Sequence, residues 1–224
     1  MDLKNYIEYT VLKPDAALSD IIKCFHEAHH HDFYGICINP LHVTFVNNLR
    51  KEKNSGIKII TVAGFPLGAN ITDTKVFEAK NALLKGADEI DMVIDIGAIK
   101  DKLYNKAEND IKKVVESANK ATVKVILETD LLTRAEIIEA CKISANAGAN
   151  FVKTSTGFVK NGAGATVENV KLMHETVSPY GLRVKASGGI KNKATAVKMI
   201  EAGASRIGTS ACFAAACNYD GLSC

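Results

Sequence analysis

Apolar and polar positions alternate in two rhythms along this chain. Short runs rich in Ile, Val and Ala occur at residues 7–12, 35–38, 58–63, 89–94, 123–128, 151–154, 182–186 and 206–208. They recur at intervals of roughly 30 residues, the size of one strand–helix unit. Between them apolar residues return every three or four positions, the helical period. Residues 73–85 place Val76, Phe77, Ala79, Leu83 and Leu84 so that most share a stripe, and residues 192–202 do the same with Ala196, Val197 and Ile200. Thr133-Arg134-Ala135-Glu136 reads as a capping box, threonine at the N-cap and glutamate three residues on. Behind it Ile137, Ile138, Cys141 and Ala145 lie on one face.

Alternating strands and helices imply a parallel sheet. Gly86-Ala87-Asp88, Gly148-Ala149-Asn150 and Gly203-Ala204-Ser205 each end a helix and lead into a strand. Glycine accepts the left-handed conformation past a helix C-terminus, so one local geometry is built repeatedly. Eight such units in 224 residues predict an α/β fold, a (β/α)8 TIM barrel forming a single domain over residues 1–224, with residues 212–224 as a short helix and tail. A doubly wound open sheet is the alternative, but no G-x-G-x-x-G follows the first strand.

Composition narrows the function. Hydrophobic residues make up 47% of the chain, enough for a large core. Lys and Arg number 28 against 25 Asp and Glu, a net charge of +3 with no long basic run, which argues against a nucleic-acid partner. The first residues lack the apolar core of a secretion signal, and no apolar run approaches the ~18 residues of a membrane span. A cytoplasmic location and no membrane partner are expected. The six cysteines, at 24, 37, 141, 212, 217 and 224, form no C-x-x-C, which favours reduced thiols over a zinc site. His26, His29, His30 and His31 cluster where a helix should end. With no acidic or thiol ligand to complete a set, they read as a polar helix terminus rather than a metal site.

In such a barrel the active site lies at the C-terminal ends of the strands. Strand alternation points Ile90, Met92 and Ile94 toward the helices and Asp91, Val93 and Asp95 toward the interior. Lys153 faces inward if Val152 packs on the helices, and Lys185 does so if Val184 packs there. The two lysines then lie on neighbouring strands. Desolvation and a like charge each lower a lysine pKa, and a neutral lysine can form a Schiff base with a carbonyl. Asp91 would offset part of the repulsion and relay protons. Taken singly, Lys153 also reads as a lysine snorkelling to solvent, and Asp91 as half of a structural ion pair. Together the three suit imine chemistry. Ser187-Gly188-Gly189 follows the seventh strand and Gly208-Thr209-Ser210 the eighth, where such barrels usually bind phosphate through backbone N–H groups. Thr154, Ser155, Thr156 and Gly157 offer further hydroxyl and amide donors.

Six stretches, running from the first strand to the last, resemble the deoxyribose-phosphate aldolase family of class I aldolases. They are Leu12-Lys13-Pro14-Asp15, Gly64-Phe65-Pro66-Leu67-Gly68-Ala69-Asn70, Gly86-Ala87-Asp88-Glu89-Ile90-Asp91-Met92-Val93, Phe151-Val152-Lys153-Thr154-Ser155-Thr156-Gly157, Val184-Lys185-Ala186-Ser187-Gly188-Gly189-Ile190 and Arg206-Ile207-Gly208-Thr209-Ser210. The resemblance places the family's imine-forming lysine on Lys153, its relay aspartate on Asp91 and its second lysine on Lys185. Its phosphate contacts fall on Gly157, Gly188, Gly189, Gly208 and Ser210, with Thr156 beside them. Two positions depart from the family pattern. Its usual Asp-His-Thr is Glu8-Tyr9-Thr10 here, and a serine common after Ser210 is Ala211. Cys37 matches a cysteine common in the family and is read as a strand residue near the pocket, not a nucleophile.

The resemblance implies reversible cleavage of 2-deoxy-D-ribose 5-phosphate to D-glyceraldehyde 3-phosphate and acetaldehyde, in deoxyribonucleotide catabolism. Its small-molecule partner is a phosphorylated sugar. It implies no cofactor and no metal, since the iminium itself takes up the electrons released by carbon–carbon cleavage. It also implies a homodimer as a possible assembly. Tyr219, near the C-terminus, matches too poorly to take over a family tyrosine's part in the proton steps. Two other functions compete, an isomerase on the same barrel using a carboxylate base, and a barrel that binds a phosphorylated metabolite without turning it over.

Overall fold

A computed structural model describes residues 2–211. Eight parallel strands close into a barrel in chain order, β1 pairing with both β2 and β8. They are β1 (Ile7–Val11), β2 (Gly35–Ile38), β3 (Lys58–Ala63), β4 (Glu89–Val93), β5 (Thr122–Ile126), β6 (Phe151–Lys153), β7 (Arg183–Ser187) and β8 (Ala204–Thr209). Each stands where the pattern put it, to within two residues. The helices outside the barrel are α1 (Leu18–His30), α2 (Val43–Glu52), α3 (Thr72–Leu84), α4 (Ile96–Lys100), α5 (Tyr104–Ser117), α6 (Arg134–Asn146), α7 (Val167–Val177) and α8 (Lys193–Glu201). The (β/α)8 expectation holds and the open sheet is set aside. The tail expected from Cys212 to Cys224, with Cys217 and Tyr219, lies outside the described residues. Among the described residues no helix is long and apolar enough to cross a membrane.

Period-two alternation sorts the strand residues into two layers. Ile36, Ile38, Ile59, Ile90, Met92, Val123, Val125, Val152 and Val184 face outward into the main core, where the helices cover them. Each such aliphatic side chain, fully buried, stabilises the fold by roughly 1.5–3 kcal/mol relative to exposure. The opposite parity lines the barrel. On the β2–β3 side this lining is apolar, with Cys37, Ile60 and Val62 packed around Leu12. On the β4–β7 side it is charged. The capping box is present, Thr133 Oγ1 accepting from Glu136 N at 3.3 Å and Glu136 Oε2 from Thr133 N at 2.7 Å.

Helix α3 keeps most of its expected stripe, with Ala79 buried and Val76 and Leu83 packed against the core, but two members leave it. Phe77 is 66% exposed and Leu84 is 88% exposed, while Ala79, Ala82 and the wholly buried Lys75 face the barrel. Small alanines let the helix approach closely. Lys75 reaches past them to Asp110 on α5 at 2.6 Å and to the Val93 carbonyl at 2.9 Å. A buried cation with a carboxylate and a carbonyl is satisfied there, so the lysine side of α3 won over its phenylalanine side.

The histidine cluster does close α1, as expected for a helix terminus. His29 stacks on Phe25 and His31 on Phe33.

Candidate active site

Parallel register sets the charged positions of β4 to β7 in two steps, Lys153 standing opposite Ile126, two residues beyond Lys124. Asp91 is paired with Lys124, and Lys153 with Lys185. Asp91 is fully buried, and its two oxygens serve three ammonium groups. Oδ2 accepts from Lys153 Nζ at 2.9 Å and Lys185 Nζ at 2.7 Å, and Oδ1 from Lys124 Nζ at 2.9 Å. A second acidic tier lies below. Lys124 also pairs with Glu89 at 2.6 Å and Glu8 at 3.4 Å, and Lys185 donates to Glu8. Arg206 on β8 stands 3.9 Å from Glu8 with its guanidinium 3.7 Å over the Tyr34 ring, and Tyr34 donates to Glu89.

These charges fix one another. Burial pushes Asp91 up, but Lys124, Lys153 and Lys185 outweigh it and hold its carboxyl well below the usual range. Burial likewise pushes Lys185 down, and Asp91 and Glu8 outweigh it, so Lys185 is raised and stays an ammonium ion. Lys124 is raised well above the usual lysine value by Asp91, Glu8 and Glu89 against the same desolvation. The sequence had suggested an apolar socket that lowers lysine pKa values. The socket is instead ionic, because Glu8, Glu89 and Lys124 share the inward parity with Asp91. Glu89 and Lys124 were not expected to line the site, whereas Glu8 stands at a position the family resemblance singles out. The signal was there in Val123-Lys124-Val125, a charge between two outward-facing valines. Glu8, the lengthened first-strand carboxylate, points down into the barrel and bonds the second lysine. Asp95, expected inside, is not. β4 ends at Val93, and Asp95 instead caps α4, accepting from Ala98 N at 3.0 Å and pairing with Lys106 at 2.7 Å.

Above this layer opens a cavity of about 510 Å³. Lys153, Thr156, Gly157, Gly188, Gly189, Gly208 and Ser210 all line it, together with Thr10, Lys13, Phe158 and Lys191. Asp91 and Lys185 do not line it and meet it through Lys153. Among the described residues the amides of Gly157, Gly188, Gly189 and Ser210 donate to no protein acceptor, which leaves them free for an anion. Gly157, Gly188 and Gly189 hold left-handed φ of 85°, 88° and 74°, and there glycine is the residue without strain.

Three hydroxyls expected at the site are already committed. Thr154 Oγ1 donates to the Ser187 carbonyl at 2.8 Å and accepts from Ser187 N at 2.9 Å, tying β6 to β7. Ser155 is buried, its hydroxyl facing Thr129 Oγ1 at 3.5 Å and its carbonyl accepting from Ser187 Oγ at 2.6 Å. Thr156 gives its hydroxyl and amide to Glu128. Burial raises the Glu128 carboxyl above the usual range, and its backbone sits in the left-handed region at φ 59°. Cys37 is buried on β2 and does not line the cavity but clusters with Leu12, which does; its thiol is pushed up by desolvation, which suits a strand residue near the pocket and not a nucleophile. Among the described residues no group of three or more His, Cys, Asp or Glu is placed to hold a metal ion.

The sequence profile of the DeoC/LacD family aldolase matches residues 6–223. The deoxyribose-phosphate aldolase of Thermococcus kodakarensis is 53% identical over 211 residues, covering 93% of each chain. That of Streptococcus sanguinis is 52% identical and covers 94% of each. Among solved structures, an aldolase called QR15 superposes with a TM-score of 0.89 at 39% identity, covering 95% of this chain and 93% of its own. A deoxyribose phosphate aldolase from Aeropyrum pernix, described as a unique tetramer, gives 0.86 at 33% identity over 94% of this chain and 87% of its own.

Proposed function

The chain belongs to the DeoC/LacD aldolase family, and on that premise we infer that it reversibly cleaves 2-deoxy-D-ribose 5-phosphate to D-glyceraldehyde 3-phosphate and acetaldehyde as a class I, Schiff-base lyase. The observation that carries the assignment of roles is the shared Asp91 oxygen. One carboxylate atom binds Lys153, which lines the cavity, and Lys185, which does not.

In this reading Lys153 gives up its proton to water in the cavity it lines, while Asp91 stays a carboxylate and Lys185 keeps its own proton. The ammonium of Lys185 then disfavours a second positive charge beside it. The freed Lys153 amine attacks C1 of the open-chain sugar, and loss of water gives the iminium. A base takes the proton of the C3 hydroxyl, the C2–C3 bond breaks, and its electron pair moves through C2 into the iminium to give the enamine. C3 leaves as the aldehyde of glyceraldehyde 3-phosphate. The enamine is protonated at C2, and water releases acetaldehyde and returns Lys153. The Asp91–Lys185 pair, acting through a water, supplies and removes these protons. Assistance of this type contributes roughly 10²–10⁴-fold. The phosphate sits on the free amides at Gly157, Gly188, Gly189 and Ser210, with Gly208 forming the wall beside them. Its binding energy holds C1 over Lys153.

Borohydride added with acetaldehyde should reduce the imine and fix an ethyl group on Lys153, read as mass on the peptide that contains it. Ethylation confined to another lysine would move the nucleophile. Absence of any trapping would favour an isomerase or a binding protein.

The same reading takes residues 1–224 as one barrel domain with its tail, working in the cytoplasm in deoxyribonucleotide catabolism as a homodimer. The exposed Leu67, Ile71, Phe77 and Leu84, all from one stretch of chain, support self-association. Sedimentation equilibrium returning a monomer at micromolar concentration would remove the dimer from it.

A further inference from the structure

We propose that Asp130, on the loop after β5, is a positioning residue for phosphate: it sets the Gly188–Gly189 turn from the far side of the β6 loop. This rests on the function proposed above, in which that turn holds the sugar phosphate.

The connection runs through direct contacts from loop to loop. Asp130 lies on the short 3-10 turn Thr129–Leu131, which is anchored on β6 by the Thr129 amide donating to the Thr154 carbonyl at 2.9 Å. Its carboxylate accepts two consecutive backbone amides, Ala163 N at 3.0 Å and Gly164 N at 2.9 Å. A carboxylate holding two N–H groups is a strong and directional clasp. Among the described residues no other side chain hydrogen-bonds residues 159–165. The clasped segment lies directly against the phosphate turn. Ala165 N donates to the Gly188 carbonyl at 3.1 Å. A Cβ on Gly164 would come within 2.6 Å of the Gly188 backbone, and one on Gly189 within 2.8 Å of the Ala163 carbonyl. Packing this close transmits position: where residues 163–165 go, Gly188 and Gly189 must follow. Glu128 secures the near end of the same β6 loop through Thr156. The β5 loop therefore grips the β6 loop at both ends without lending an atom to the cavity, since neither Glu128 nor Asp130 lines it.

The test compares a reaction that needs the phosphate with one that does not. Asp130→Ala should lower kcat/KM for 2-deoxyribose 5-phosphate at least tenfold, mainly through KM. Its rate of reductive trapping by acetaldehyde and borohydride, which involves no phosphate, should stay within twofold of wild type. Asp130→Asn, which keeps one acceptor oxygen, should recover part of the loss. Gly162→Ala is the independent variant. Its φ is not in the left-handed region, and its new Cβ would lie 2.6 Å from Asp130 Oδ2, displacing the clasp while leaving the acid in place. It should show the same selective loss, and it decides the matter if Asp130→Ala does not fold. Equal losses on both readouts, or no loss on either, would overturn the proposal. Wild-type protein that traps acetaldehyde but leaves the sugar phosphate intact would overturn the substrate reading instead.

Discussion

Asp91 has two oxygens and three ammonium partners, and that mismatch organises the site. Lys124 takes Oδ1, so Lys153 and Lys185 must share Oδ2. Removing one partner leaves a buried charge uncompensated, which typically costs more than the pair was worth. Lys185→Leu should therefore do two things. It should abolish most turnover by removing the neighbouring charge, and it should destabilise the barrel by about 3–5 kcal/mol by leaving Glu8 and Asp91 short of a cation. Urea unfolding beside a coupled assay for glyceraldehyde 3-phosphate measures both, and a leucine variant as stable as wild type would contradict the network. At this scale the sequence was legible where a charge stood alone in an apolar run, as at Asp91, Lys153 and Lys185. It was less legible at Glu8 and Glu89, which sit near strand starts, where a charged residue reads as solvent-facing until the barrel closes over it, than at Lys124, which stands mid-strand between two valines.

The strands were readable because β-branched residues on alternate positions have one stable arrangement in a covered sheet, and eight of them recur at even spacing. Helix α6 was readable for a local reason: its capping box satisfies two N-terminal amides within four residues. Helix α3 was readable at Val76, Ala79 and Leu83 but not at Phe77 and Leu84, because its periodicity supports two faces. Periodicity counts Phe77 and Leu84, but it does not see that Asp110, on another helix, waits for Lys75. The loops were the least legible elements. Thr154, Ser155 and Thr156 look like ligand donors in sequence. Whether a hydroxyl is free depends on what faces it, and Ser187 and Glu128 come from other strands' ends.

Across the whole molecule the buried charges make stability depend on pH at both extremes. Asp91 and Glu89 are held below their unfolded values, Glu89 by Lys124 against its own desolvation. Their contribution is complete above the unfolded carboxylate value of about 4 and is lost as pH falls through the folded values. Lys124 and Lys185 are raised. Their contribution is complete below the unfolded lysine value of about 10.4 and is lost as pH rises through the folded values. The unfolding midpoint should therefore show a plateau between these limits, with an acid and an alkaline edge. Absence of the acid edge or of the alkaline edge would mean that the groups behind it are not charged as described. The way the charges are shared among the strands has a further consequence. Glu8, Glu89 and Asp91 come from β1 and β4, whereas Lys124, Lys153, Lys185 and Arg206 come from β5 to β8. Each half of the chain thus carries a lining it cannot hide alone, acid in the first and base in the second, and the two halves are one another's counter-ions.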